Sequence, residues 1–417
     1  MSALYDIFRN STGVITDSRA ISEGALFVAL RGASFDGNRF AIDALNKGAA
    51  YAVVDDATVV EQAPEELTER LFLVDDTLCA LQDLAREHRE VLGIPILAVA
   101  GSNGKTTTKE LVSRVLAEKY EVYATRGNLN NHIGVPLTLL AMDHTTEFGV
   151  VEMGASACGE IALLTSIARP NYGILTNIGR SHLEGFGGVE GIRRGKGELF
   201  DYLDSTGGRA FVPADDEVLS AMAAERANMA VEHFAFAISN GVEHQLEGDY
   251  NLKNIAAAMS IGRYFDVDES RIHHAIATYT PTNNRSQRSV TDRNTLIVDC
   301  YNANPSSMRA SLESFLSERS EQPRVCILGD MLELGEWSAE EHRSIVELVV
   351  VGDFDRIWLV GKHFRQASTA VADDPRVSCF ASREEVAQRL ETEPIEGALI
   401  LVKGSHSIGL EKLIPLL

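Results

Sequence analysis

Leu97-Ala-Val-Ala-Gly-Ser-Asn-Gly-Lys-Thr-Thr-Thr108 is the stretch from which the rest of the chain is read. The apolar run from Ile94 to Ala100 predicts a buried strand and Gly101 to Gly104 a tight turn. Leu111, Val112, Val115 and Leu116 then predict the apolar face of a helix. Strand, Gly-Lys-Thr turn and helix together make a phosphate cradle: glycines let backbone N–H groups approach a polyphosphate, and the helix N-terminus adds positive potential. Lys105 is placed to reach β- and γ-phosphates and Thr106 to offer a hydroxyl to Mg²⁺. The pattern G-x-x-x-x-G-K-[ST] is incomplete, because its first glycine position holds Val99. The plain alternative is a tight turn with a surface lysine. The strand and helix on either side favour the cradle.

Length and composition bound the rest. At 417 residues the chain exceeds one ordinary core, so two or three domains are expected. A net charge of −22 argues against nucleic-acid partners and anionic membranes. It leaves room for an anionic small substrate, since a few Lys, Arg and Mg²⁺ reverse the field inside a cleft. Cys79, Cys158, Cys300, Cys326 and Cys379 are scattered, with no Cys-x-x-Cys pair, which suits a reducing cytoplasm. Cys326, inside an apolar run, is expected to be a buried free thiol. Met1 to Asn10 has no charged-then-apolar signal pattern, and no apolar run reaches membrane-spanning length. The expectation is a cytoplasmic protein without membrane insertion.

Before the cradle, Gly24 to Leu30 and Ala50 to Val54 predict strands around a turn-rich loop, Arg31 to Asn38, and a helix through Ala41, Ala44 and Leu45. A helical pattern at 81–90 ends at Gly93-Ile-Pro95, placing a boundary near 90. After the cradle, Asn128, Asn130 and Asn131 crowd one glycine-bearing loop, Arg126 to Pro136, which reads equally as a polar connector. Glu152 ends the apolar run Gly149-Val-Val-Glu152, where a nucleotide-binding sheet needs an Mg²⁺ anchor. Ile174 to Ile178 predicts another strand, leading to His182, which reads equally as a structural or exposed histidine and as a functional one at the end where open parallel sheets bind ligands. Arg193, Arg194 and Lys196 form a basic cluster, either a solvated helix face or a charge complement for phosphates. Asn251 is expected to cap a helix, with Asn254 one turn along; both also suit a purine. Thr280 to Asn284 reads as a linker. Beyond it, strands at 295–298, 325–328, 357–360 and 398–402 each empty into a polar loop, the layout of an open, mostly parallel sheet with a binding edge.

Taken together these residues resemble the Mur ligase family of ATP-dependent amide-forming enzymes, over essentially the whole chain and in order. The family turn is Gly-Thr-Asn-Gly-Lys-Thr/Ser, and Gly101 to Thr106 departs from it only at Ser102. Asn128 to Pro136, Glu152-Met-Gly-Ala155, Thr176-Asn-Ile-Gly179 with His182, Asp299-x-Tyr-Asn-Ala-Asn-Pro-x-Ser-Met308, Gly329-Asp-Met-x-Glu-Leu-Gly335 and Val402-Lys-Gly-Ser405 carry the rest of the resemblance. They match the branch that joins D-alanyl-D-alanine to UDP-N-acetylmuramoyl-tripeptide. Two positions depart: Ser156-Ala157 stands where the branch usually has Asn-His, and Asn38 where it has His after Asp-Gly.

The resemblance implies an α/β fold of three domains. These are a small N-terminal α/β domain for the UDP-sugar-peptide (1–90), a central P-loop parallel-sheet ATPase-like domain (91–280) and a C-terminal Rossmann-like domain for the amino substrate (281–417). It implies a monomer using ATP and two Mg²⁺ ions. Gly101, Ser102, Asn103, Gly104, Lys105, Thr106 and Thr107 would bind ATP, with Asn251 and Asn254 on the adenine side and Arg285 and Asp299 closing from the third domain. Thr106 and Glu152 would hold one Mg²⁺ and His182 a second. Lys196, in Gly-Lys-Gly-Glu, would be carbamylated by CO₂ and serve as a metal ligand. Lys105, Glu152, His182 and Lys196 would form the catalytic set. Thr16, Asp17, Ser18, Arg19, Asp36 and Gly37 would meet the uridine nucleotide. Asn128, Asn130, Asn131, Tyr301, Asn302, Asn304 and Ser307 would contact the substrates. Sister ligases that add a single amino acid, of muramoyl-peptide or folylpolyglutamate type, are the nearest alternative, and the Tyr301-Asn-Ala-Asn-Pro305 signature argues against them. A non-catalytic ATP-binding protein is the alternative of another class.

Overall fold

The short apolar runs become strands, and the strands gather into three sheets in chain order. The computed structural model describes residues 1–281 and 285–417, so 282–284 of the expected linker lie outside the described residues. The first sheet holds β1 (Val14–Ile15), β2 (Leu26–Val28), β3 (Tyr51–Val54) and β4 (Leu71–Leu73), parallel and in that order. Phe27, Ala41, Ala44, Leu45, Ala52 and Val54 make its small separate core.

The helix Thr77–Leu92 starts where the Asp76 carboxylate accepts the Cys79 N–H (2.7 Å) and stops at Gly93, whose φ of 64° is left-handed. It packs on the helices Gly134–Leu140 and Glu160–Ala168 of the next unit. Three polar anchors fix it there. Gln82 donates to His132 O (3.0 Å), the His88 ring bonds Met142 O (2.9 Å), and Arg89 donates to Ala168 O (3.0 Å). Arg89 is buried without a carboxylate; carbonyls at a helix C-terminus, the negative end of its dipole, satisfy it instead.

The second sheet holds β5 (Ile96–Ala100), β6 (Val122–Ala124), β7 (Phe148–Glu152), β8 (Tyr172–Leu175), β9 (Arg209–Pro213) and β10 (Ala230–Phe234). Its order is β10-β9-β8-β5-β7-β6, all parallel. Every residue of β5 and β7 is buried, as central parallel strands covered on both faces must be. The chain leaves β5 toward β6 and returns to its other side at β8, so the carboxyl ends of β5 and β8 flank a switch point. The strand expected over Ile174–Ile178 ends early, at Leu175. Thr176 and Asn177 turn away there to bond the loop after β5.

The third sheet holds β11 (Gln287–Val290), β12 (Thr295–Asp299), β13 (Arg324–Gly329), β14 (Arg356–Val360), β15 (Val377–Phe380) and β16 (Leu399–Lys403). Its order is β11-β12-β16-β13-β14-β15, with only β11 antiparallel. Among the described residues no helix is long and apolar enough to cross a membrane. Cys300 and Cys326 are buried thiols, as expected for Cys326.

Candidate active site

Loops at the carboxyl edges of the second and third sheets enclose one cavity of about 780 Å³. Its floor is the turn after β5, stitched to the loop after β8. Ser102 N–H donates to Asn177 O (3.0 Å). Asn103 N–H donates to Asn177 Oδ1 (3.1 Å), and Asn177 Nδ2 donates back to Asn103 O (3.0 Å). The Ser102 hydroxyl donates to Gly179 O (3.0 Å) and accepts from Gly179 N–H (2.9 Å). The departure at Ser102 therefore costs the turn nothing that a threonine hydroxyl would give.

Gly104 takes the left-handed conformation (φ +78°), and a Cβ there would lie 2.6 Å from Asn254 Oδ1. Glycine is needed twice over, for backbone and for space. Gly104→Ala is expected to destabilise the protein by about 1–2 kcal/mol and to weaken binding of ATP, the ligand the turn implies. Thermal unfolding and calorimetric titration with ATP check this; unchanged values in both would refute it.

Lys105 opens the helix Lys105–Ala117 and folds back, donating to Gly101 O (2.9 Å) and Ser102 O (3.0 Å). Burial lowers its ammonium to about 8, opposed by the Glu152 charge and reinforced by Arg285. Beside it Glu152 is buried, and its Oε1 accepts from Thr106 Oγ1 (3.2 Å) and Asn130 Nδ2 (2.8 Å). Its Oε2 is buried without any partner. A buried carboxylate oxygen left open beside a threonine hydroxyl fits a divalent cation. Among the described residues, no group of three or more His, Cys, Asp or Glu gathers that fits a metal ion. The acidic side chain against His182 is Glu333.

Lys196 is fully buried; its Nζ donates to Ala155 O (2.8 Å) and lies 4.9 Å from the Phe186 ring centroid. Burial, then the charge of Lys105, pushes its ammonium well below the ordinary lysine range. It does not line the cavity, whereas His182 does. Of the basic cluster, Arg193 pairs with Glu225 (2.8 Å) on an exposed helix face, and only Lys196 turns inward.

Asn251 and Asn254 both reach the cavity wall and are bonded to each other (2.7 Å). The expected cap at Asn251 is corrected: Tyr250 holds the cap position. Asn251 is the first helical residue, and its Nδ2 donates to Glu247 O (2.7 Å). Asn130 and Asn131 line the cavity, but Asn128 does not; its carbonyl accepts Asn130 N–H (2.8 Å) instead. Gly101 is likewise outside the lining, acting through its carbonyl on Lys105.

The third sheet supplies the opposite wall. Asn304 caps the helix Pro305–Ser317, accepting from Ser307 N–H (3.0 Å), while its Nδ2 donates across to Asn103 Oδ1 (2.7 Å). Arg285 lies with its guanidinium carbon 3.6 Å from the Tyr301 ring centroid. Asn302 also lines this wall. Asp299 accepts from Ser311 Oγ (2.9 Å) and pairs with Lys403, which is fully buried. Lys403, quoted in the sequence within Val402-Lys-Gly-Ser405, was given no role there; its signal is its place as the polar end of an apolar strand, β16.

Thr16, Asp17, Ser18, Arg19, Asp36 and Gly37 do not line this cavity. They lie at the carboxyl edge of the first sheet, where Asp17 pairs locally with Arg19 (2.7 Å). The departure at Asn38 has a structural use: buried, it donates to Asp36 Oδ1 (2.8 Å) and Asp55 Oδ1 (2.7 Å) and accepts from Asp55 N–H (3.0 Å). The departure at Ser156-Ala157 leaves both backbone N–H groups on Glu160 Oε2 (2.6 and 3.3 Å).

Comparison with known proteins agrees along the whole chain. Residues 10–89 match the Mur ligase family catalytic domain, 99–256 the Mur ligase middle domain and 284–406 the Mur ligase glutamate ligase domain. The UDP-N-acetylmuramoyl-tripeptide–D-alanyl-D-alanine ligase of Bacillus subtilis (strain 168) is 34% identical, over 96% of this chain and 92% of that protein. The crystal structure of MurF from Acinetobacter baumannii superposes with a TM-score of 0.84 at 27% identity, covering 99% of this chain and 98% of that one. MurF ligase from Thermotoga maritima, in complex with ADP, gives 0.83 at 26% identity, covering 100% and 98%. The chain belongs to the Mur ligase family.

Proposed function

We infer that the protein is an ATP-dependent ligase joining D-alanyl-D-alanine to the C-terminal carboxylate of UDP-N-acetylmuramoyl-tripeptide, in cytoplasmic peptidoglycan precursor synthesis. The observation that carries this is the single cavity in which the phosphate turn, the open Glu152 carboxylate oxygen and the Asp299–Ser307 loop meet. Its match along the whole length to relatives named for this activity supports it.

A carboxylate is a poor acyl donor, so it must first take the γ-phosphoryl group of ATP. Lys105 sits in the turn to neutralise charge on the transferring group, and Arg285 adds a second positive charge from the opposite wall. Thr106 and Glu152 would hold one Mg²⁺, and His182 with carbamylated Lys196 another; bound there, the metal spreads phosphate charge. Burial shifts Lys196 toward the neutral amine, the form that adds to CO₂, the N–C bond forming as a proton is lost. The acyl phosphate is then attacked by the amine of D-alanyl-D-alanine, and collapse of the tetrahedral adduct releases phosphate. Enclosure between two sheets protects the acyl phosphate from water. In this reading residues 1–90 carry the UDP end, 91–280 the ATP and 281–417 the dipeptide.

Phosphate release from Mg-ATP with UDP-N-acetylmuramoyl-tripeptide, with and without D-alanyl-D-alanine, tests the reading. Release requiring both substrates supports it. Release with a single amino acid moves the protein to a sister ligase, and no release with any pair leaves a nucleotide-binding protein.

The lowered Lys105 predicts a proton-coupled step. Free protein loses that proton as pH rises through about 8, whereas a polyphosphate favours the ammonium. Nucleotide binding at pH 8.5 should take up more than about half a proton, and affinity should fall as pH climbs further. Titration calorimetry in buffers of different ionisation enthalpy reads the uptake; heats independent of buffer would contradict it.

A further inference from the structure

The loop after β8 and the loop after β13 touch across the junction of the second and third sheets through two residues held in the left-handed region. His182 has φ 53° and Glu333 φ 60°. Neither is glycine, and each needs its surroundings to hold it there. The surroundings are each other. His182 Nδ1 meets the Glu333 carboxylate, and Glu184 N–H donates to Glu333 O (3.2 Å). Gly335 fits so closely that a Cβ there would lie 3.1 Å from the Glu184 side chain.

The Glu333 loop is braced from beneath. Met331 N–H donates to His342 Nε2 (3.0 Å), and Leu332 N–H donates to Ser405 Oγ (3.2 Å). His342 is wholly buried, and its Nδ1 donates to Ser338 O (2.7 Å), which makes Nε2 the acceptor. The His182 loop is gripped a second time, through Arg180, whose N–H donates to Ser306 Oγ (2.8 Å) and whose guanidinium pairs with Glu341 (2.6 Å).

We propose that Glu333 is a positioning residue for His182: its carboxylate, brought from the third sheet against the buried Nδ1, is the acceptor that keeps the proton on Nδ1 and so leaves Nε2 as the free ligand atom. A carboxylate on the far nitrogen is the usual way a metal-binding imidazole is oriented and its tautomer fixed. Here that orienting group arrives from a different sheet. The second cation site is therefore complete only when the third sheet is docked, and docking of the amino-substrate unit reports directly on the phosphoryl-transfer machinery. This rests on the reading of His182 as a cation ligand.

The test is made on the full chain with ¹⁵N-labelled histidine, the His182 resonances being assigned by their loss in His182→Gln. In the wild type His182 should show the Nδ1–H tautomer; in Glu333→Ala it should move toward Nε2–H. In parallel, Glu333→Ala should lower kcat about 10- to 100-fold and raise the Mg²⁺ concentration needed for half-maximal rate about tenfold, with the KM for ATP changed less than about twofold. Glu333→Gln keeps an acceptor oxygen and should recover most of both. An unchanged tautomer and kcat in Glu333→Ala would overturn the assignment while leaving the ligase reading intact. If wild-type protein shows no turnover, the ligase reading falls, and the tautomer measurement still decides the Glu333–His182 assignment.

Discussion

Lys105→Ala is expected to abolish substrate-dependent phosphate release, lowering it by about a thousandfold or more. The reason is geometric as well as electrostatic. Two carbonyls of the same turn hold the Lys105 ammonium, at 2.9 and 3.0 Å, so the charge is placed before any nucleotide arrives. A preplaced charge in a closed site does not reorganise during transfer, and water entering the gap cannot replace it. Arg285 lies on the opposite wall, stacked on Tyr301, and is committed to that side of the cavity. The fold should survive the substitution. The removed group is a cation held against its own desolvation, so the unfolding temperature of the ligand-free protein should not fall. Turnover at the wild-type rate in a folded Lys105→Ala protein would remove ATP chemistry from this turn.

Lys196→Ala should cost about a hundred- to a thousandfold in turnover, and short carboxylates such as formate or acetate should restore part of it. The wild-type side chain is fully buried beside Phe186 and Ala155 O. Truncation leaves a hole of side-chain size, and a small carboxylate entering it would supply an acidic donor in place of the carbamate. Simple loss of packing would instead lower stability without responding to carboxylate. The lowered lysine makes a second observation available: wild-type protein equilibrated with ¹³C-bicarbonate should show a carbamate carbon signal that Lys196→Ala lacks. Absence of that signal and of rescue at every carboxylate concentration would leave Lys196 as a packing residue.

These expectations hang on features that the sequence shows unevenly. The strand Ile96–Ala100, the turn and the helix after it are local in the chain, and each is written in short-range signals: an apolar run, glycines, a 3.6-residue period. The edge carboxylate Glu152 is legible for the same reason, because an acidic residue ending an apolar strand is a local contrast. Asn251 was misplaced by one position because Asn is a good cap by propensity, while the observed side chain is drawn back to Glu247 O, a contact that no local pattern encodes. The strand over Ile174–Ile178 was read too long, since Thr176 and Asn177 look strand-compatible until the β5 turn claims their side chains. Lys403 and Glu333 went unassigned for a deeper reason. Lys403 meets Asp299 from a position 104 residues away, and Glu333 meets His182 across two sheets. Their meaning lies in which loops the topology brings together. Asn38 shows the converse: a departure from the family pattern looks like a lost contact in the sequence, and in the structure it ties Asp36 to Asp55.

The distribution of thiols carries a practical consequence. Cys300 and Cys326 are shut away in the core, while Cys79 and Cys379 are exposed. Cys79 rides on the helix that Gln82, His88 and Arg89 fasten to the second sheet, and Cys379 lies on β15, at the far edge of the third. Burial and the neighbouring Asp76 raise the Cys79 thiol, which slows its modification at neutral pH. With the half-buried Cys158 changed to serine, the chain carries its own pair of exposed attachment points for a fluorescent donor and acceptor. Energy transfer between them would follow, molecule by molecule, the approach of the third sheet to the helix Thr77–Leu92 and the unit it is fastened to, with no new cysteine introduced.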